Sequence, residues 1–152
     1  MIDGPRILIV EGRFYEDIGQ ELLKGATQVL EKAGIPYEHI LVPGALEIPS
    51  VIKYALQGMA ECTTTSHYVG VVSLGCVIRG ETSHYDVVCT ESFRAVTDLV
   101  IEHGMPHGYG VLTVENKQQA LVRADTTGKD FGGRAAVACL RLLDIKKSFD
   151  LA

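Results

Sequence analysis

The sequence predicts a three-layer α/β sandwich, a four-stranded parallel sheet with helices on both faces. Two observations carry this expectation. Short apolar runs rich in β-branched residues alternate with helical patterns along the whole chain, the order that strand–helix–strand units impose. One of these runs, HYVGVVSLGCVI from His67 to Ile78, is almost continuously apolar, as a strand covered on both faces must be. At 152 residues the chain fits one domain, residues 1–152, and folding at that size buries roughly 70 % of the surface the unfolded chain exposes.

RILIVEG, from Arg6 to Gly12, is the first strand. After it Ile18, Leu22, Ala26, Val29 and Ala33 recur at spacings of three and four, marking one helix face that stops at Gly34. YEHILVP alternates and breaks at Pro43-Gly44, giving a second strand. EIPSVIKYALQG starts a helix with Pro49 in its first turn and Gly58 at its end. His67 to Ile78 is the third strand. The helix after it has a capping-box pattern at Ser83 and Asp86 and ends near Gly104 and Pro106. YGVLTVEN, Tyr109 to Asn116, is the fourth strand, and Asn116 with Gln119 marks the start of a short helix through Arg123. A last amphipathic helix covers about Gly133 to Lys147. Right-handed crossovers are expected between the strands.

Composition excludes several classes. A formal charge of -5 with interspersed signs offers no basic face for a nucleic acid. The N-terminal apolar run is too short for a signal segment or a membrane span, so a soluble cytoplasmic protein is expected. Cys62, Cys76, Cys89 and Cys139 form no CxxC pair, and they read as reduced, mostly buried thiols rather than zinc ligands. No partner spacing among His39, His67, His103 and His107 suggests a metal.

Ligands of open α/β sheets sit beyond the carboxyl ends of the strands. Four unusual segments fall there: Gly12-Arg13-Phe14, Pro43 to Glu47, Arg79 to His84, and the end of the fourth strand. In the third, the backbone N–H groups of Glu81, Thr82 and Ser83 lie at a helix start, a place that attracts phosphate. Neither GxxxxGK[ST] nor GxGxxG occurs, which weighs against nucleotide hydrolysis and dinucleotide binding. His84 falls at about the first helical position, where the helix dipole favours the neutral ring, and a neutral ring can accept a proton. Spacing alone favours a helix-opening role for it over a catalytic one. Arg123 is a candidate cation for the same phosphate or a solvated surface residue. Phe14 stacks a flat ligand or packs on the first helix. Glu47 caps a helix or accepts from sugar hydroxyls, and Arg79 pairs with Glu81 or Asp86.

Taken together, ILIVEGRFY at Ile7 to Tyr15, VPGALEIP at Val42 to Pro49, GCVIRGETSHYDVV at Gly75 to Val88 and GVLTVENKQQALVRA at Gly110 to Ala124 resemble the 6,7-dimethyl-8-ribityllumazine synthase family of riboflavin biosynthesis. Several such motifs in order, on a compatible strand pattern, are specific, and the likeness covers almost the whole chain. The resemblance implies a flavodoxin-like fold. It also implies a transferase that condenses 5-amino-6-(D-ribitylamino)uracil with 3,4-dihydroxy-2-butanone 4-phosphate, releasing phosphate and water without metal or other cofactor. By the same resemblance Phe14 stacks on the pyrimidine ring, Ala45, Leu46 and Glu47 line the ribityl site, and the backbone of Val77 and Ile78 reads the pyrimidine edge. Gly80, Glu81 and Thr82 with Arg123 hold the phosphate, and His84 moves protons. Tyr109 and Arg123 come from a neighbouring subunit of a homopentamer.

The sequence departs from the family pattern at two places. Tyr15 stands where many members have Asn, and TTGKDFGG, Thr126 to Gly133, with Lys129 inside it, replaces the usual lysine and glycine. The competing reading is a paralogue that binds riboflavin or lumazine as a carrier or scaffold without making it. A carrier needs no proton shuttle, and joint retention of His84, Arg123, Phe14 and Glu47 favours the enzyme. A general flavodoxin-like binding domain leaves VPGALEIP unexplained.

Overall fold

Each strand hands the chain to a helix that returns over the sheet. In the computed structural model, which describes residues 4–152, β1 (Pro5–Gly12) leads into α1 (Glu16–Lys32) and β2 (Tyr37–Val42) into a 3-10 turn (Ala45–Glu47) and α2 (Ile48–Ala60). β3 (His67–Ile78) leads into α3 (His84–Glu102), and β4 (His107–Val114) into α4 (Lys117–Ala124) and α5 (Phe131–Ser148). All pairings are parallel and the strand order is β2-β1-β3-β4. The expected three-layer α/β sandwich is therefore present, and the direction of winding reverses between β1 and β3.

Alternation along β1 divides the core. Ile7 and Ile9 face one side with Ile18 and Leu22 of α1, Ala120 of α4 and Cys139 of α5. Leu8 and Val10 face the other with Ile48 and Ile52 of α2 and Val88 and Val96 of α3. Each fully buried Ile or Leu contributes about 1.5–3 kcal/mol, so both layers are held mainly by apolar burial. Among the described residues no helix is long and apolar enough to cross a membrane.

Several sequence expectations are corrected. α2 passes Gly58 and stops at Ala60, because its terminator is Cys62 at φ 55. The N–H of Thr63 donates to Gly58 O and that of Cys62 to Met59 O, closing the last turn two residues later than expected. This job leaves Cys62 exposed and Cys89 is only half-buried, so the thiols are not mostly buried. Burial pushes those of Cys76 and Cys139 up to about 12. β4 starts at His107 and ends at Val114, two residues earlier at each end than the sequence pattern suggests. α5 begins at Phe131, because Gly132 lies against the Leu22 carbonyl of α1, where any side chain collides. Gly132 marks a close approach between two helix backbones. Asp130 caps this helix by accepting from the Gly133 N–H at 3.1 Å.

His107 opens β4 with its Nε2 3.0 Å from the hydroxyl of buried Ser73. Burial pushes the imidazole down to about 4. Unfolding returns the ring to its ordinary value near 6.5, so below that pH the unfolded chain binds the extra proton and stability falls. The loss should develop as pH drops from 6.5 toward 4, reach no more than about 3 kcal/mol, and be absent above 6.5. Urea midpoints measured across that range should slope downward with acid in the native protein, and His107→Gln should flatten the slope.

Candidate active site

β1 and β3 end at different heights. Gly12 closes β1 opposite Val42 and Gly75, whereas β3 continues to Ile78 opposite Val114. Cys76, Val77 and Ile78 therefore pair only with β4, and their backbone groups that face away from it meet no strand. This open edge lies at the point where the winding reverses, the usual ligand position in such sheets.

The loop after β2 seats directly on the end of β1. A Cβ on Gly12 would fall 2.6 Å from the Gly44 carbonyl carbon, so only glycine permits the contact. Ala45 is consequently buried, while Leu46 (42 % exposed) and Glu47 stand outward. No hydrogen bond or ion pair among the described residues uses the Glu47 carboxylate, leaving it free to accept from hydroxyls. The first turn of α2 is thus not capped by this side chain. Phe14, just past β1, is 74 % exposed and meets the edge of the Tyr15 ring at 5.0 Å.

The β3–α3 turn places Gly80, Glu81, Thr82 and His84 at the surface, with His84 the first residue of α3. The expected capping box does not form. Ser83 already has helical angles, φ -70 and ψ -1, and its side chain makes no cap bond. Instead the His84 N–H donates to the Thr82 hydroxyl at 3.3 Å. No backbone hydrogen bond among the described residues uses the N–H of Gly80, Glu81, Thr82 or Ser83. Arg79 braces the turn: its main-chain N–H donates to Val114 O at 2.9 Å, its Nε donates to Glu115 at 2.9 Å, and its guanidinium lies 4.2 Å over the Tyr85 ring. Its partners are Asp86 and Glu115; Glu81 is not among them.

Tyr109 stands apart from this group. Tyr109 is level with Ser73, five residues before Ile78 on the neighbouring strand, which sets it roughly 16 Å below the carboxyl edge. It lines an open groove of about 620 Å³ with Cys89, Phe93 and Phe131 along the outer edge of β4. Burial raises its phenol, which stays protonated at neutral pH. Arg123 is half-buried in the last turn of α4, where Nη1 donates to Gln119 O at 3.1 Å. α4 itself begins as expected, with the Asn116 side chain accepting from the Gln119 N–H at 2.9 Å.

Spacing did not single out two further residues here. Glu11, which ends the apolar run of β1, is fully buried and bound to Arg13, and His39 of β2 lies beside it. The available signal was a carboxylate and a guanidinium two positions apart, hence on one face of an extended segment.

An open, all-parallel sheet in the order β2-β1-β3-β4 with helices on both faces defines a flavodoxin-like α/β protein. Comparison with known proteins narrows this. Residues 4–147 match the family model described as 6,7-dimethyl-8-ribityllumazine synthase. The chain is 51 % identical over 143 residues to the protein of that name from Agrobacterium fabrum, covering 94 % of this chain and 95 % of the relative. It is 49 % identical to the one from Bartonella bacilliformis, covering 95 % and 92 %, and 42 % identical to the one from Paramagnetospirillum magneticum, covering 97 % and 98 %. The chain belongs to the 6,7-dimethyl-8-ribityllumazine synthase family, transferases of riboflavin biosynthesis.

The Gly12–Gly44 contact gives a direct check. Gly12→Ala must push the Pro43–Glu47 loop outward, and thermal or urea melts should show a loss of about 1–3 kcal/mol.

Proposed function

We propose that the chain condenses 5-amino-6-(D-ribitylamino)uracil with 3,4-dihydroxy-2-butanone 4-phosphate to give 6,7-dimethyl-8-ribityllumazine, releasing phosphate and water. One observation supports this most strongly. Unpaired N–H groups and a histidine occupy a single turn, so an anion cradle and a proton carrier stand side by side at the open edge of β3.

In this reading Phe14 stacks on the pyrimidine, Ala45 and Leu46 shape the ribityl site, and Glu47 accepts from its hydroxyls. The unpaired backbone of Val77 and Ile78 reads the pyrimidine edge. The N–H groups of Gly80, Glu81 and Thr82 hold the phosphate together with Arg123. Holding both substrates side by side converts a bimolecular condensation into an intramolecular one, worth up to roughly 7–11 kcal/mol in ideal cases. The uracil amine attacks the ketone, water leaves to give an imine, phosphate is eliminated, and the ribitylamino nitrogen adds to the remaining carbonyl, closing the ring as a second water leaves. His84 takes and returns protons through these steps.

The separation of Tyr109 from the Phe14 side supports a site shared between adjacent subunits, in which Tyr109 and Arg123 arrive from a neighbour. A homopentamer acting in the cytoplasm is the assembly we assign. The relatives reported above carry the synthase name, and nothing in the geometry favours the carrier reading.

Mixing the purified protein with both substrates should produce the lumazine chromophore; tight riboflavin binding without chromophore would support the carrier instead. His84→Ala should lower kcat by about 100-fold with KM for both substrates nearly unchanged, in steady-state absorbance assays. Arg123→Ala should raise KM for the butanone phosphate about tenfold or more, the cost of losing a charge-assisted hydrogen bond. Co-assembled Phe14→Ala and Arg123→Ala chains should show a higher kcat/KM than either variant assembly alone, because some shared sites regain both native residues, which a site within one chain cannot do.

A further inference from the structure

The fold takes the Glu11 side chain entirely out of water, at 0 % exposure. A buried carboxylate is tolerated only when paired. Its partner is two residues on: Arg13 Nη2 donates to Glu11 Oε1 at 2.9 Å, and Nε faces the other oxygen. The same guanidinium donates through Nη1 to Glu16 in the first turn of α1 at 3.1 Å. The Arg13 main-chain N–H donates to Val42 O of β2 at 3.0 Å. Its side chain also crosses Gly19 of α1, where an added Cβ would lie 2.9 Å from Nε. One residue is therefore fixed from β1, β2 and α1 together. His39 Nε2 lies 3.8 Å from Glu11 Oε2, but burial, helped by the Arg13 cation and opposed by Glu11, holds its imidazole below the usual range. The ring stays neutral and leaves the carboxylate to Arg13.

Phe14 follows Arg13 directly, and its ring is mostly in solvent. A ring with so little packing of its own takes its place from its backbone. We propose that Glu11 is a positioning residue that, through its buried ion pair with Arg13, sets the Phe14 ring where the pyrimidine substrate must stack. The proposal rests on the reading of Phe14 as the stacking residue. The physical gain is preorganisation: a planar fork held by a buried carboxylate fixes both distance and direction, and a ring already in place loses little freedom when the ligand arrives.

The test places 4-fluorophenylalanine at position 14 and compares ¹⁹F spectra of the native chain and Glu11→Gln, which keeps the size and removes the charge. Should Glu11→Gln fail to fold, Glu11→Leu with Arg13→Met replaces the pair by apolar side chains, a change that buried ion pairs often tolerate. In the folded variant the ¹⁹F resonance should move toward that of the free amino acid. KM for the ribitylaminouracil should rise about tenfold, while kcat at saturation and KM for the butanone phosphate change by less than about twofold. A merely structural role would lower the melting temperature and shift all three constants together, and that result overturns the proposal. An unmoved resonance with unchanged KM overturns it as well. The Phe14→Ala chain separates the two readings: if its KM for the ribitylaminouracil is unchanged, stacking by Phe14 fails, whereas the ¹⁹F comparison still decides whether Glu11 places the ring.

Discussion

Everything at the candidate site depends on a mismatch of strand lengths. β1 stops opposite Gly75 while β3 runs on to Ile78, so a stretch of backbone is left with partners on one side only. Unpaired backbone polar groups must find a hydrogen bond somewhere, and here they face the place where the winding reverses. The glycine that ends β1 then lets the next loop sit on the strand end. Ala45, Leu46 and Glu47 reach the same edge because that loop can approach so closely.

The sheet was legible because its signals are local and strong. The apolar run from His67 to Ile78 coincides with β3 residue for residue, since a strand covered on both faces leaves little room for polar side chains. The helix start at His84 was legible too, as was the Asn116 cap. What misled was chemistry with two local solutions. Ser83 and Asp86 match a capping box, yet the backbone turns helical one residue early and the Asp86 N–H donates to the Ser83 carbonyl rather than to its hydroxyl. Gly58 was misjudged for a different reason. Glycine marks either a stop or a close approach, and only the tertiary partner decides which.

Glu11 was the least legible residue near the candidate site. A carboxylate at the end of an apolar run reads as the run meeting solvent, and the pattern along the strand contains no sign that α1 closes over it. The compensation comes from a glycine in α1 that makes space and an arginine that fills it. Three separate choices must agree before that charge can be buried, and no window of sequence shows all three. Phe14, by contrast, was legible as a ring leaving a strand, because its exposure needs no partner in the chain.

If Tyr109 completes a neighbour's site, as proposed above, its placement restricts the symmetry of the assembly. Phe14 belongs to the β1 side of the sheet, and Tyr109 to its β4 border, well below the carboxyl edge. A two-fold dimer sets each patch against its own copy or exchanges both at once, and the first of these arrangements leaves Phe14 facing Phe14. Head-to-tail contact sets one border against the other and, if its rotation closes, gives as many sites as there are chains. Each chain then works for two sites, lending one border to each.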